Sequence, residues 1–296
     1  MLRRILLASA SALALSGAAL AAEPPPYVPP PPPTWTGLYV GLNAGYTWSN
    51  SNTVNTVTTN VFSNPAIPGS AAFGIAEAAL ATANLPSRID GFIGGGQTGY
   101  NYQFGSWVTG LELDFQGIAG GGRSSTLLSS ATVTFAPGNP INQTLSVSRN
   151  LDWLGTVRGR FGYLMTPTVL IYGDGGLAYG QVSSSTSILQ NIGNFGATVP
   201  PFGSFGTFSQ TRVGWTAGGG LEWLFFPNWS LKVEYLYYDL GRATYALSPL
   251  NSFAIGFGPR DSALPVSTTR FNGNIVRAGI NYHFNWGWPA PAVTRY

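Results

Sequence analysis

The residues best suited to chemistry in this chain come in pairs two apart. Glu112 and Asp114 are separated by one residue, as are Arg158 and Arg160, and Lys232 and Glu234. Paired carboxylates can divide general acid and general base work when their surroundings push their proton affinities apart. A spacing of two also puts both side chains on one face of an extended strand. Asp174, Glu222 and Arg277 fall on the polar face of their own segments in the same way. Five acids (Glu112, Asp114, Asp174, Glu222, Glu234) therefore meet four bases (Arg158, Arg160, Lys232, Arg277). So close a balance favours mutual pairing over acid–base catalysis, because an unpaired charge in a confined space is costly. Other chemistries lack their parts. The only histidine is His283 and there is no cysteine, too little for a triad or a metal centre. No nucleophile elbow or phosphate loop is present. The expectation is a non-enzyme without cofactor or metal.

The elements that must carry these charges read as strands. Eight segments alternate apolar and polar residues: Thr36–Trp48, Asp90–Phe104, Trp107–Gly117, Arg149–Leu164, Thr168–Val182, Thr211–Phe225, Trp229–Arg242 and Arg270–Phe284. In the third, Trp107, Leu111, Leu113 and Phe115 alternate with Glu112, Asp114 and Gln116. In the eighth, Val276, Ile280, Tyr282 and Phe284 oppose Arg277, Asn281 and His283. At 11–16 residues these segments exceed the usual strand and suffice to cross a tilted bilayer. Aromatics gather at their ends, with Trp107, Trp223 and Trp229 at one set and Trp48, Trp153 and Trp215 at the other. This is the pattern of two interfacial girdles.

The connectors alternate. Gly105-Ser106, Thr166-Pro167 and Pro227-Asn228 are short; the stretches near 49–89, 118–148, 183–210 and 243–269 are long. The sequence thus predicts an all-β fold: an eight-stranded antiparallel transmembrane β-barrel with short periplasmic turns and four long extracellular loops. Within the first long loop, the Ala-rich stretch Ala71–Leu85 admits a short helix, limited by Gly74 and Pro86, or an irregular path. The balanced inward charges predict a filled, largely closed polar lumen, with a narrow conducting path as the alternative.

Composition agrees. Only 8% of residues are charged while 14% are aromatic, far below the roughly 25% charge of soluble domains. Arg3 and Arg4, the apolar run Ile5 to Leu15, and Ala19-Leu20-Ala21 read as a signal peptide over residues 1–21. Residues 22–34 read as a Pro-rich periplasmic leader, 35–285 as the barrel domain and 286–296 as a periplasmic tail. Without Arg3 and Arg4, 12 basic residues face 11 acidic ones, so the charge offers no argument for nucleic acid.

Several stretches carry a family resemblance. Trp35-Thr-Gly-Leu-Tyr-Val-Gly-Leu-Asn-Ala-Gly-Tyr46, Asp152-Trp153-Leu-Gly-Thr-Val-Arg-Gly-Arg-Phe-Gly-Tyr163, Gly218-Gly-Gly-Leu-Glu-Trp223 and Leu231-Lys-Val-Glu-Tyr235 resemble the alphaproteobacterial outer-membrane immunogenic proteins. These are eight-stranded barrels of the OmpA/OmpX-like, porin-like group. Arg277, Gly279, Tyr282 and Phe284 further resemble the insertion signal that outer-membrane barrels present to the barrel-assembly machinery. The resemblance implies an outer-membrane location with termini in the periplasm, contact with lipid and lipopolysaccharide, and extracellular partners at the loops. It also implies a role in envelope integrity and as a surface antigen, with hemin uptake or binding as the alternative for some relatives. No hemin-binding residues can be assigned.

Overall fold

The chain separates into two units, Met1–Pro32 and Pro33–Tyr296. The computed structural model describes residues 34–120, 122–132, 140–192, 200–254 and 258–284. The expected signal peptide, all of the Pro-rich leader but Thr34, and the tail lie outside the described residues.

Twelve strands and one helix follow in order: β1 Gly37–Ser49, β2 Thr53–Ser63, α1 Ser70–Leu80, β3 Ala83–Pro86, β4 Asp90–Phe104, β5 Trp107–Ala119, β6 Ser125–Thr132, β7 Pro140–Thr166, β8 Val169–Ile192, β9 Phe202–Phe226, β10 Trp229–Ala246, β11 Leu250–Ala254 and β12 Gly258–Phe284. Among the described residues the twelve strands belong to one antiparallel sheet in the order β1-β4-β5-β7-β8-β9-β10-β12-β2-β3, with β6 on β7 and β11 on β12. β1 pairs with β4 on one side and with β12 on the other, so the sheet path returns to its first strand.

The expectation of eight strands joined by four long loops is corrected by this count. β2, β3, β6 and β11 lie in stretches assigned to loops, and β7, β8, β9 and β12, each 24–27 residues long, extend into those stretches. The strand number implied by the family resemblance fails with it. The physical reason lies in the outer solvent. In Thr53–Ser63 the inward residues are Val54, Thr56 and Thr58, whereas Thr53, Asn55 and Thr59 point outward. Strands whose outer face meets water carry Ser, Thr and Asn there, and so resemble loops in composition.

Nearer the short turns the pattern is inverted relative to a soluble protein. Leu42 and Phe92 are 68% and 72% exposed, whereas Arg158 and Lys232 are 0% exposed. Apolar side chains cover the outside of the sheet and charged ones fill the inside, as a barrel wall in lipid requires. Among the described residues no helix is long and apolar enough to cross a membrane.

The interior is layered. Closest to the short turns, Trp35 packs with Val108, Leu170, Tyr172 and Leu224. The charges follow. Beyond them lies an apolar layer that includes Ile93, Leu154, Leu236, Phe271 and Ile275. A last apolar cluster includes Phe73, Ile141, Leu145, Ile188 and Leu250. The Ala-rich stretch forms the helix α1 over most of its length and ends in a short strand, β3, that neither alternative foresaw. α1 buries Ser70, Phe73, Gly74, Glu77 and Ala78, one stripe at helical spacing. It packs against β2, β6 and β12. Gln143 Nε2 donates to the Leu80 carbonyl at 2.6 Å and Gln190 Nε2 to the Glu77 carbonyl at 3.0 Å. The Leu80 carbonyl is one that the last turn of a helix leaves open, whereas the Glu77 carbonyl also accepts the Ala81 N–H at 3.1 Å.

Candidate functional site: a buried charge layer

Neighbouring strands bring the nine predicted charges to one level. Glu112 stands opposite Arg158 across β5 and β7, Arg160 opposite Asp174 across β7 and β8, Lys232 opposite Glu222 across β9 and β10, and Glu234 opposite Arg277 across β10 and β12. Side-chain period two then aims all nine inward.

Arg158 is the hub. Its Nη2 lies 2.5 Å from Glu112 Oε1 and 2.8 Å from Asp114 Oδ2; its Nη1 lies 3.0 Å from Glu234 Oε1 and pairs with Asp174. Arg277 Nη2 reaches Glu234 at 2.5 Å and Asp114 at 2.8 Å. Lys232 Nζ is 2.6 Å from Glu112 Oε1. Arg160 Nη2 is 2.7 Å from Glu222 Oε2. Charges removed from water this fully persist only when paired and hydrogen-bonded, and each of the nine has an ion-pair partner among the described residues.

Neutral groups complete the layer. Tyr39 donates to Glu112 Oε2 at 2.6 Å and Tyr172 to Glu234 Oε1 at 2.9 Å. The Arg160 guanidinium lies 4.0 Å from the centroid of the Tyr172 ring, a cation–π contact. Asn43 Nδ2 donates to Gln97, Gln97 Nε2 to Asn281, and Asn281 Nδ2 to Glu222, at 3.0, 2.5 and 2.7 Å. Gly99 makes room for this packing. A Cβ there would stand 2.4 Å from the Tyr39 hydroxyl, so only glycine leaves the phenol its place.

Tyr39, Tyr172 and Ser230 escaped the sequence reading. Their signal was parity: each sits an even number of residues from a recognised inward position or opposite a recognised outward set, Tyr39 between Leu38 and Val40 and Tyr172 two before Asp174. His283 is enclosed at the short-turn end. Its ring packs edge-on against Trp35 at 5.7 Å, and Nε2 shares a 2.8 Å hydrogen bond with Ser230 Oγ. Among the described residues no group of three or more His, Cys, Asp and Glu is arranged to hold a metal ion.

Of the four residues of the expected insertion signal, Arg277 joins the charge layer. Tyr282 and Phe284 lie on the outer face with rings 5.0 Å apart, and Tyr282 meets Trp229 at 5.1 Å. Gly279 faces inward beside Gln97.

A family model described as outer membrane protein beta-barrel domain matches residues 6–284. The chain belongs to this family. It is also 32% identical over 252 residues to the 31 kDa outer-membrane immunogenic protein of Brucella melitensis biotype 1, covering 85% of this chain and 84% of the relative. A 22 kDa outer membrane protein of Rhizobium leguminosarum bv. viciae is 33% identical over 55% of this chain and 60% of its own. Among solved structures, OprG of Pseudomonas aeruginosa aligns over 85% of this chain and 99% of its own at 9% identity with a TM-score of 0.37. This membership and the inverted sheet give one conclusion: the protein is an outer-membrane, β-rich surface protein.

Proposed function

We propose that this protein is a non-conducting envelope protein whose lumen is closed by its own side chains and whose long-strand end is displayed outside the cell. The observation that carries the reading is the charge layer. Four of the five acids and all four bases lie in the interior at 0–4% exposure, the fifth acid, Asp174, is half-buried as a residue with its side chain turned inward onto Arg158, and Trp35 packs beneath them. A water-filled pore would leave such side chains solvated. The strands beyond the apolar wall carry Ser, Thr, Asn and Gln outward, as in Thr126, Ser146, Ser185 and Asn191. That composition suits a wall standing in water above the membrane. β1 begins and β12 ends at the short-turn end, which this reading assigns to the periplasmic side. The name of the Brucella relative records it as immunogenic; a displayed wall of this kind is the part of this chain that would serve as an antigen.

Swelling of liposomes containing the purified full chain tests closure. No swelling above protein-free vesicles is expected with a disaccharide. Rapid swelling would refute the reading.

A further inference from the structure

We infer that three arginines just beyond the apolar wall form a binding site for a phosphate group of an outer-leaflet glycolipid. The inference rests on the orientation proposed above. Arg242 on β10 stands directly opposite Arg270 on β12, a juxtaposition of like charges that destabilises a sheet unless something intervenes. Arg212 on β9 closes the group, its Nη2 donating to the Arg242 carbonyl at 2.6 Å. One carboxylate answers these three guanidiniums: Asp239, ion-paired with Arg270. The local balance is two positive charges. Among the described residues the Arg242 guanidinium has no carboxylate partner.

The backbone is shaped for the purpose. The β10–β12 register shifts between Asp239 and Arg242, and Gly241 takes a φ of +81°, open to glycine but strained for other residues. Such a bulge re-aims the side chains beside it. It opens a cleft of about 410 Å³ lined by Val213, Trp215, Asp239, Gly241, Arg242 and Arg270.

Height in the membrane selects the ligand. Trp215 and Tyr237 pair at 5.3 Å on the outer face and mark the interface. Trp215 stands opposite Asp239, so the guanidiniums begin one step above the girdle, where headgroup phosphates lie. Guanidinium is suited to phosphate because its fork matches two oxygens at once. Trp215 forms the wall of the cleft nearest the membrane, at the girdle where the headgroup of the same lipid gives way to its acyl chains.

The test uses the folded full chain in zwitterionic micelles, with lipid binding read by native mass spectrometry. Three probes separate the sources: diphosphorylated lipid A, the same lipid stripped of phosphate, and inorganic phosphate alone. Diphosphorylated lipid A is expected to bind roughly tenfold or more tightly than its stripped form. Combined Arg212→Gln, Arg242→Gln and Arg270→Gln should abolish that difference. Arg242→Gln alone, which breaks no ion pair, should reduce it severalfold, while Arg123→Gln, elsewhere on the surface, should leave it unchanged. Equal binding of the two lipids, or full preference retained in the triple variant, overturns the site. Displacement of lipid A by equimolar inorganic phosphate overturns the glycolipid as its ligand. The orientation is checked separately: Ala246→Cys, four residues beyond Arg242 in this cysteine-free chain, should react with an impermeant thiol reagent on intact cells. Failure there with lipid preference intact refutes the orientation and moves the ligand to the inner leaflet.

Discussion

At the scale of single residues, the interior of the sheet depends on Arg158. It touches four carboxylates, and Asp174 has no other cation among the described residues. Arg158→Met leaves buried anions uncompensated, a change that costs about 3–5 kcal/mol. A lower midpoint for the heat-induced gel shift of the folded form is the expected outcome. Adding Asp174→Asn should restore part of the loss; a double variant no better than the single one would show that Asp174 lies outside the network. Glu77 supplies a pH dependence outside the membrane-spanning wall. Burial on α1, reinforced by the neighbouring charge of Asp261, pushes its pKa up to about 8. The folded state therefore holds a proton that the unfolded state gives up near its ordinary value of 4.5. This contribution to stability is full below 4.5, declines as pH rises through 8, and is constant above that. Glu77→Gln should flatten the change in gel-shift midpoint between pH 5 and pH 9 and raise the midpoint at pH 9. An unchanged slope would contradict the assignment.

At the scale of elements, legibility followed the solvent on each face. Asp90–Phe104 is readable to the residue, because aromatics such as Phe92, Tyr100 and Tyr102 face outward while the polar Gln97 and Asn101 face inward. Residues 140–148 and 183–192 carry the same period two, with Leu145 and Ile188 inward and Ser146 and Ser187 outward. Their outward Ser and Thr are also loop residues, so the alternation loses its contrast in these extensions of β7 and β8, as it does in β2. The nine charges were legible because each is the rare charged residue in an apolar segment. Their pairing was not, since Arg158 meets Glu234 across 76 positions and only closure of the sheet brings them together. Arg260 sat in an expected outer loop, yet its guanidinium lies 3.8 Å over the Phe73 ring beneath α1, a contact that no local pattern encodes. β12 makes the prediction proper to this scale. Tyr282→Ala with Phe284→Ala removes two outward aromatics from the last described turn of the strand. Less heat-modifiable protein in the outer-membrane fraction is expected, and undiminished levels would remove β12 as the insertion signal.

At the scale of the whole molecule, the fold puts its greasy surface outside and its charges at the centre, and then caps the far end with α1 and the extended strands. The cross-section is occupied at several levels: Trp35 and its neighbours, the nine paired charges, the Ile93–Phe271 layer, and Phe73 with its partners. On the closed-lumen reading proposed above, opening a path would require breaking the charge layer and at least two apolar ones. That is the central claim, and current across a planar bilayer reads it most directly. With the full chain inserted at neutral pH, no discrete steps above the bare bilayer are predicted at any applied voltage. Stable, ohmic steps from the unaltered protein would contradict it.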